Sequence, residues 1–159
     1  MSAFVSTPAG TPQPTPPAAV PDRVGNDGWY PAMSIAGTRD VLNVTTAITD
    51  PRMRDAIVGA MLAVNRQLRK WKTTQTATTL ELVEQARINE TGELVELYQR
   101  AVRAEAAALL SDFNDTLSAT DGGRKREETE EAPADHHRRI STHCIRDIRN
   151  TGRTKVRLI

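Results

Sequence analysis

Met53, Ile57, Ala60, Met61, Val64, Leu68 and Trp71 recur at steps of three and four along the chain, which is the spacing of one face of an α-helix. The preceding "TDPRMRDA" supplies a start: Thr49 or Asp50 as N-cap, and Pro51 in the first turn, where its missing N–H removes no hydrogen bond. Burying each large residue of this stripe stabilises by about 1.5–3 kcal/mol, but ordering backbone costs about 1–2 kcal/mol per residue, so the helix needs partners. A second stripe runs through "ELVELYQRAVRAEAAALLSDFND". Leu94, Leu97, Tyr98, Ala101, Ala108 and Leu109 share a face with Val102 and Phe113 at its edge, and Glu96, Arg100, Arg103 and Asn114 lie opposite. Glu105 falls within the apolar face, where a lone carboxylate is costly; it reads either as a rim or Arg-paired residue or as half of an ion pair between subunits.

"SATDGGRKREETEE" interrupts the periodicity, and Glu127, Glu128, Glu130 and Glu131 suit the solvated first turn of a further helix. Pro133 is either accommodated in that first turn or kinks the helix. Beyond it His137, Ile140, Ser141, Cys144, Ile145 and Ile148 share one side and Arg139, Arg146 and Arg149 the other, with Gly152 as the expected C-terminal cap. A shorter helix, capped by Ser34, is expected through "SIAGTRDVLNV", with Ile35, Val41 and Leu42 apolar and Gly37 weakening it. The closing "TKVRLI" alternates Val156 and Leu158 against Lys155 and Arg157, the period of a strand, and a lone strand at residues 154–159 needs an edge to join. The expected fold is all-α: a small bundle of about four helices with a short C-terminal β-strand.

Two stretches fall outside this periodicity. Residues 73–92 are polar and β-branched, a connection long enough to mark a contact loop. "PAGTPQPTPPAAVP", from Pro8 to Pro21, favours extended polyproline geometry without a core. It reads as a linker or as a ligand for a partner's groove, so residues 1–25 are expected to form a disordered tail and 26–159 the folded domain. At their junction "NDGWYP" holds two of the six aromatic residues. In a core of Met, Leu, Val and Ala, Trp29 is expected to pack over the bundle as its anchor, Pro31 to turn the chain toward Ser34, and Tyr30 to remain partly exposed.

The 159 residues suffice for one core, and a formal net charge of +1 confines any nucleic-acid binding to local basic clusters. One cysteine, Cys144, allows no intramolecular disulfide; no stretch has the apolar length of a membrane span, and "MSAFVSTPAG" lacks the pattern of a signal peptide. A soluble protein made inside the cell is expected, with no membrane partner.

Candidate chemistry is sparse. His136 and His143, and likewise His137 and Cys144, stand two helical turns apart, about 10.5 Å at 1.5 Å per residue, whereas zinc–ligand bonds are about 2.0–2.3 Å. No metal site or cofactor is expected. There is no G-x-S-x-G turn, Cys144 sits on an apolar face, and "DGG" at 121–123 lacks the Lys and Ser or Thr of a phosphate loop. Nothing points to an enzyme or to a catalytic residue. Basic residues do cluster, as Arg66, Arg69, Lys70 and Lys72 in one segment and Arg146, Arg149, Arg153, Lys155 and Arg157 in another. Cations near helix C-termini follow from the macrodipole, and phosphate contact along DNA is the alternative.

Taken in order, "DGWYPAMSIAGTRDVLNV", "ITDPRMRDAIVGAMLAVNRQLRKWK", "LYQRAVRAEAAALL" and "RDIRNTGRTKVRLI" resemble the head completion protein (GPL) family of tailed bacteriophages over about residues 27–159. The resemblance implies a structural adaptor of the virion, assembled in the host cytoplasm. It would form a homo-oligomeric, twelvefold ring under the portal protein at the capsid vertex, completing the DNA-filled head and preparing it for a tail or neck protein. Carried onto this chain, it makes Thr154, Lys155, Val156, Arg157, Leu158 and Ile159 the expected portal contact. Thr79, Leu80, Leu82, Val83 and Glu105 become the expected subunit or tail-side interface, and Arg139, Arg146 and Arg149 the face toward DNA in the channel. The family pattern has a more continuous charged helix where this chain has Pro133, which leaves the start of the last helix open. The alternative function is a DNA-binding packaging accessory protein.

Overall fold

A computed structural model of the protein describes residues 21–44, 48–120 and 133–150, with side chains of 114–120 outside the description. The elements run β1 (Arg23–Val24), β2 (Met33–Ser34), α1 (Ile35–Leu42), α2 (Asp50–Lys72), a 3₁₀ turn (Leu80–Leu82), β3 (Arg87–Ile88), β4 (Thr91–Gly92), α3 (Glu93–Thr120) and α4 (Pro133–Ile148). The fold is mainly helical, and the described residues form four helices and two small antiparallel ladders, β1 with β2 and β3 with β4.

The stripe on α2 is the core. Met53, Ile57, Ala60, Met61, Val64 and Leu68 are buried and Trp71 packs at its edge. Pro51 occupies the first turn of α2, as its sequence position requires. α3 lies between α2 and α4. Asn65 meets Tyr98 at one end of the α2–α3 contact, Gly59 faces Leu109, and Arg52 covers Phe113 at the other, so these two helices are antiparallel. The helices approach closely at Gly59: a Cβ there would stand 3.1 Å from Leu109 Cδ1, so the leucine side chain would have to give by a few tenths of an ångström.

Because α3 is flanked on two sides, it buries more than the single face its spacing predicts. Val95 and Val102 are fully or nearly enclosed, as are Ala101, Ala106 and Ala108, whereas Leu109 and Phe113 are exposed at the rim. The small alanines let neighbouring helices approach closely. Glu105 is half-buried and forms no ion pair among the described residues.

Helix ends follow local chemistry. Ser34 Oγ accepts the Gly37 N–H at 2.8 Å and so caps α1, while Asn43 ends that helix in the left-handed region, at φ 50°. The described part of α4 starts at Pro133, and the residues ahead of it, on which the choice between a first turn and a kink depends, lie outside the described residues. The glutamates at 127–131 lie outside the described residues. α4 stops at Ile148, and Asn150 takes the left-handed conformation at φ 51°. The described helix therefore ends ahead of Gly152, the expected cap, because Asn tolerates this conformation; Gly152 and the closing strand 154–159 lie outside the described residues. The connection 73–92 is more ordered than a plain loop. Asn89 and Glu90, at φ 48° and 66°, close a tight hairpin between β3 and β4.

Val24 is buried, so the described core takes in residues ahead of position 26. Asp22 holds this strand to α1: its carboxylate accepts the Ala36 N–H and the Ser34 hydroxyl, and its carbonyl accepts the Ile35 N–H. The Ala36 N–H, then the Ser34 hydroxyl, hold the Asp22 carboxyl below its ordinary pKa.

Candidate functional site

Two neighbouring regions at one end of the bundle collect the sequence's singular residues: a clasp built on "NDGWYP", and an open trough where α4 ends. In the clasp, Asp27 Oδ1 accepts the N–H groups of Trp29 and Tyr30, both at 3.0 Å, and its Oδ2 accepts from Lys72 Nζ at 2.6 Å. Such an Asx turn reverses the chain through Gly28, whose φ of 85° is open to glycine at little cost. Burial pushes the Asp27 carboxyl up, but the hydrogen bonds from Lys72, Tyr30 and Trp29 outweigh it and hold the pKa below the ordinary value.

The turn points Tyr30 inward. Its ring stacks on Tyr98 with centroids 4.7 Å apart and planes 11° from parallel, and only 4% of the residue is exposed. Burial raises the pKa of both tyrosines far above its ordinary value, so both remain neutral phenols. Under the stack Asn26 Nδ2 donates to Tyr98 Oη (2.7 Å), Tyr98 Oη donates to Asn65 Oδ1 (2.7 Å), and Asn65 Nδ2 donates to Asn26 Oδ1 (2.9 Å). These three bonds close a ring in which each group both gives and receives, joining the lead-in, α2 and α3.

Trp29 packs against the core as expected, but the expectation that Tyr30 stays partly exposed is overturned. Tyr30 is the buried ring, and Trp29 is half-buried, edge-on to Tyr30 and to Trp71. The indole N–H explains its place: it donates to the Ala77 carbonyl at 3.0 Å, which a site at the rim permits. Pro31 is half-buried and its carbonyl accepts from Asn26, so it belongs to the turn before β2.

The clasp also fixes the connection. Leu80 donates its N–H to the Trp29 carbonyl, and its side chain is fully buried. Leu80 is therefore part of the core, whereas Leu82 is 68% exposed and Thr79 and Val83 are half-buried. Gln85 ties the connection to α3: Oε1 accepts the Leu94 N–H at 2.7 Å and Nε2 donates to the Leu80 carbonyl at 2.8 Å. A Cβ on Gly92 would lie 2.4 Å from Gln85 Oε1, so glycine is required for this side chain to cap the helix. Glu105 stands twelve residues into α3 from Glu93, about 18 Å along its axis, away from the start of that helix.

The trough has a volume of about 370 Å³ and is lined by Trp71, Val83, Leu94, Leu97 and Ile148, with Glu84 and Glu93 among its polar members. It shares Glu93 and Leu97 with a groove of about 590 Å³ that runs on between α1, the hairpin, α3 and α4, where Val41 and Ile88 are exposed. Arg139 and Arg146 on α4 and Arg149 just past its end are exposed, whereas Ser141, Cys144, Ile145 and Ile148 are buried. His136 and His137 stand edge to face with ring centroids 5.8 Å apart. Among the described residues no three His, Cys, Asp or Glu side chains are grouped to hold a metal ion, and no helix is long and apolar enough to cross a membrane. The expected portal contact, Thr154 to Ile159, lies outside the described residues.

Asn26, Asn65 and Gln85 were not predicted as partners. "NDG" is a turn signal, but nothing in the sequence pairs Asn26 with a residue 39 positions away.

The family model described as phage head completion protein (GPL) matches residues 24–159. The chain belongs to this family. The match begins at Val24, the first buried residue of the described core, and runs through the clasp, the trough and all four helices. No curated protein and no solved structure matches the chain. Membership gives it a structural role in the phage head, as a virion component, in a family of structural rather than known enzymatic function.

Proposed function

We propose that this head completion protein is an adaptor that forms a ring, twelvefold like the portal, under the portal at the capsid vertex. There it completes the DNA-filled head and prepares the vertex for a tail or neck protein. The observation that carries the reading is the family match over residues 24–159. In this arrangement the connector domain takes in β1, whose Val24 is buried in the core, and the clasp anchors it through its aromatic turn.

The closing segment Thr154–Ile159 is assigned to the portal, because an alternating strand gains main-chain hydrogen bonds by joining an edge. The connection after α2 faces a neighbouring subunit or the tail-side partner, an assignment supported by exposed Leu82 and Ile88 rather than by Leu80. Thr79 and Val83 flank that surface, and Glu105 is assigned to the contact between subunits. Arg139, Arg146 and Arg149 face the channel and meet DNA without sequence preference.

Imaging the purified protein with and without portal by electron microscopy tests the assembly, and a monomer that never joins a ring would overturn it. Deleting residues 154–159 should abolish co-sedimentation with portal rings; undiminished binding would remove the assigned portal contact. A second reading, a DNA-binding packaging accessory protein, is favoured by exposed Arg66, Arg69 and Lys70 at the end of α2. It predicts binding to free duplex by the unassembled protein, with affinity that falls steeply as salt rises.

A further inference from the structure

The trough at the end of α4 has an apolar floor, formed by Trp71, Val83, Leu94 and Leu97, and an acidic character. Its lining contains Glu84, Glu93 and Asp147 and no Lys or Arg. Glu84 and Glu93 are exposed and make no ion pair among the described residues. A ligand suited to this surface is an extended segment with apolar side chains on one side and cations on the other.

The chain itself supplies such a segment, and supplies it at the mouth of the trough. Asn150 lines the trough, and at φ 51° it ends the helical path and redirects the backbone. The residues that follow are "TGRTKVRLI". Extended, they alternate Thr154, Val156 and Leu158 on one side with Arg153, Lys155 and Arg157 on the other. Length allows the fit: nine residues span up to about 30 Å, and the α3 residues that line the trough, Glu93 to Leu97, cover only about 6 Å of that helix.

We propose that the trough is the seat of the chain's own closing segment, residues 151–159, which lies along it in the unassembled subunit. Val156 and Leu158 cover the floor, and Lys155 and Arg157 meet the Glu84 and Glu93 carboxylates. The consequence for assembly rests on the portal reading: a segment held on its own subunit is released only when a portal edge competes for it. The contact itself does not depend on that reading and is tested without portal.

The full-length chain carrying Ile159→Cys is labelled with a nitroxide, with mass spectrometry confirming that buried Cys144 stays unmodified, and paramagnetic broadening of amide signals is read by NMR. The expected result is broadening concentrated at Gln85, Leu94 and Leu97, independent of protein concentration. It should be absent when labelled, isotope-unenriched protein is mixed with enriched, unlabelled protein. Glu84→Lys with Glu93→Lys should reduce the broadening several-fold, and Leu158→Asp should do the same. Three results would overturn the proposal: no broadening at the trough, broadening in the mixed sample alone, which makes a second copy the occupant, or broadening indifferent to both sets of substitutions. Loss of portal binding on deleting 154–159 leaves this outcome open either way, so the two assignments fail separately.

Discussion

The clasp and the trough lie side by side, share the end of α2, and differ in how their polar groups are satisfied. In the clasp Asn26, Asn65 and Tyr98 close a ring of hydrogen bonds, Asp27 has three donors, and the Trp29 indole reaches a carbonyl. The Tyr30 hydroxyl is the one group of the stack that is buried without a partner. In the trough Glu84 and Glu93 stand exposed beside Leu94 and Leu97 with no cation in the lining. Groups satisfied within the chain hold the fold together; groups left open beside apolar surface are suited to binding. The proposed division follows from that difference: folding rests on the first group of residues, and assembly is assigned to the second.

Substitution can break that separation in graded steps. The largest effect is expected for Tyr30→Ala, which removes a buried ring from the stack and should cost about 3–5 kcal/mol by denaturant unfolding; a change below about 1 kcal/mol would mean that the lead-in is not part of the cooperative fold. Next, Tyr98→Phe keeps the ring but deprives Asn26 of an acceptor and Asn65 of a donor, with an expected loss of about 1–3 kcal/mol. Trp29→Ala should fall in a similar or smaller range, because that ring is half-buried, and portal binding should survive in the fraction that remains folded.

Smaller again is the effect of pH on the Asp27–Lys72 contact. Asp27 has a folded pKa below its unfolded one, so its contribution is complete above the unfolded value, near about 3.9, and is lost as pH falls through the folded value. Lys72→Met should flatten the acid limb of stability against pH, by no more than about 1 kcal/mol for so exposed a pair. The smallest stability effect, within about 0.5 kcal/mol, is expected for Leu82→Ser. If that substitution also left ring assembly intact, the exposed leucine would have no part in the interface.

The sequence made the helical skeleton readable because long apolar stripes have only one way to be buried. The stripe from Met53 to Leu68, the Ser34 cap and the Pro51 start all stand where spacing and turn chemistry place them. α3 was harder to read, since a helix flanked on both sides buries alanines and valines around its circumference, and one-face counting puts Leu109 inside when it is at the rim. The unexpected burial of Tyr30, deeper than Trp29, has a different cause. Both rings are apolar enough for a core, and their order was decided by the Asp27 turn and by a carbonyl at Ala77 waiting for the indole N–H. The trough was not legible at all, because it joins the ends of α2 and α4 to the start of α3, and no local pattern reports such a meeting.

Hydrogen exchange across the full-length chain, free and bound to portal rings, tests the division between clasp and trough most directly. The account predicts that the Trp29, Tyr30 and Leu80 amides exchange at the same rates in both states. It predicts that residues 154–159 slow on binding, and that the trough-lining stretch from Val83 to Leu97 changes as its occupant leaves. A change at the clasp, with the trough and the closing segment unaltered, would contradict it.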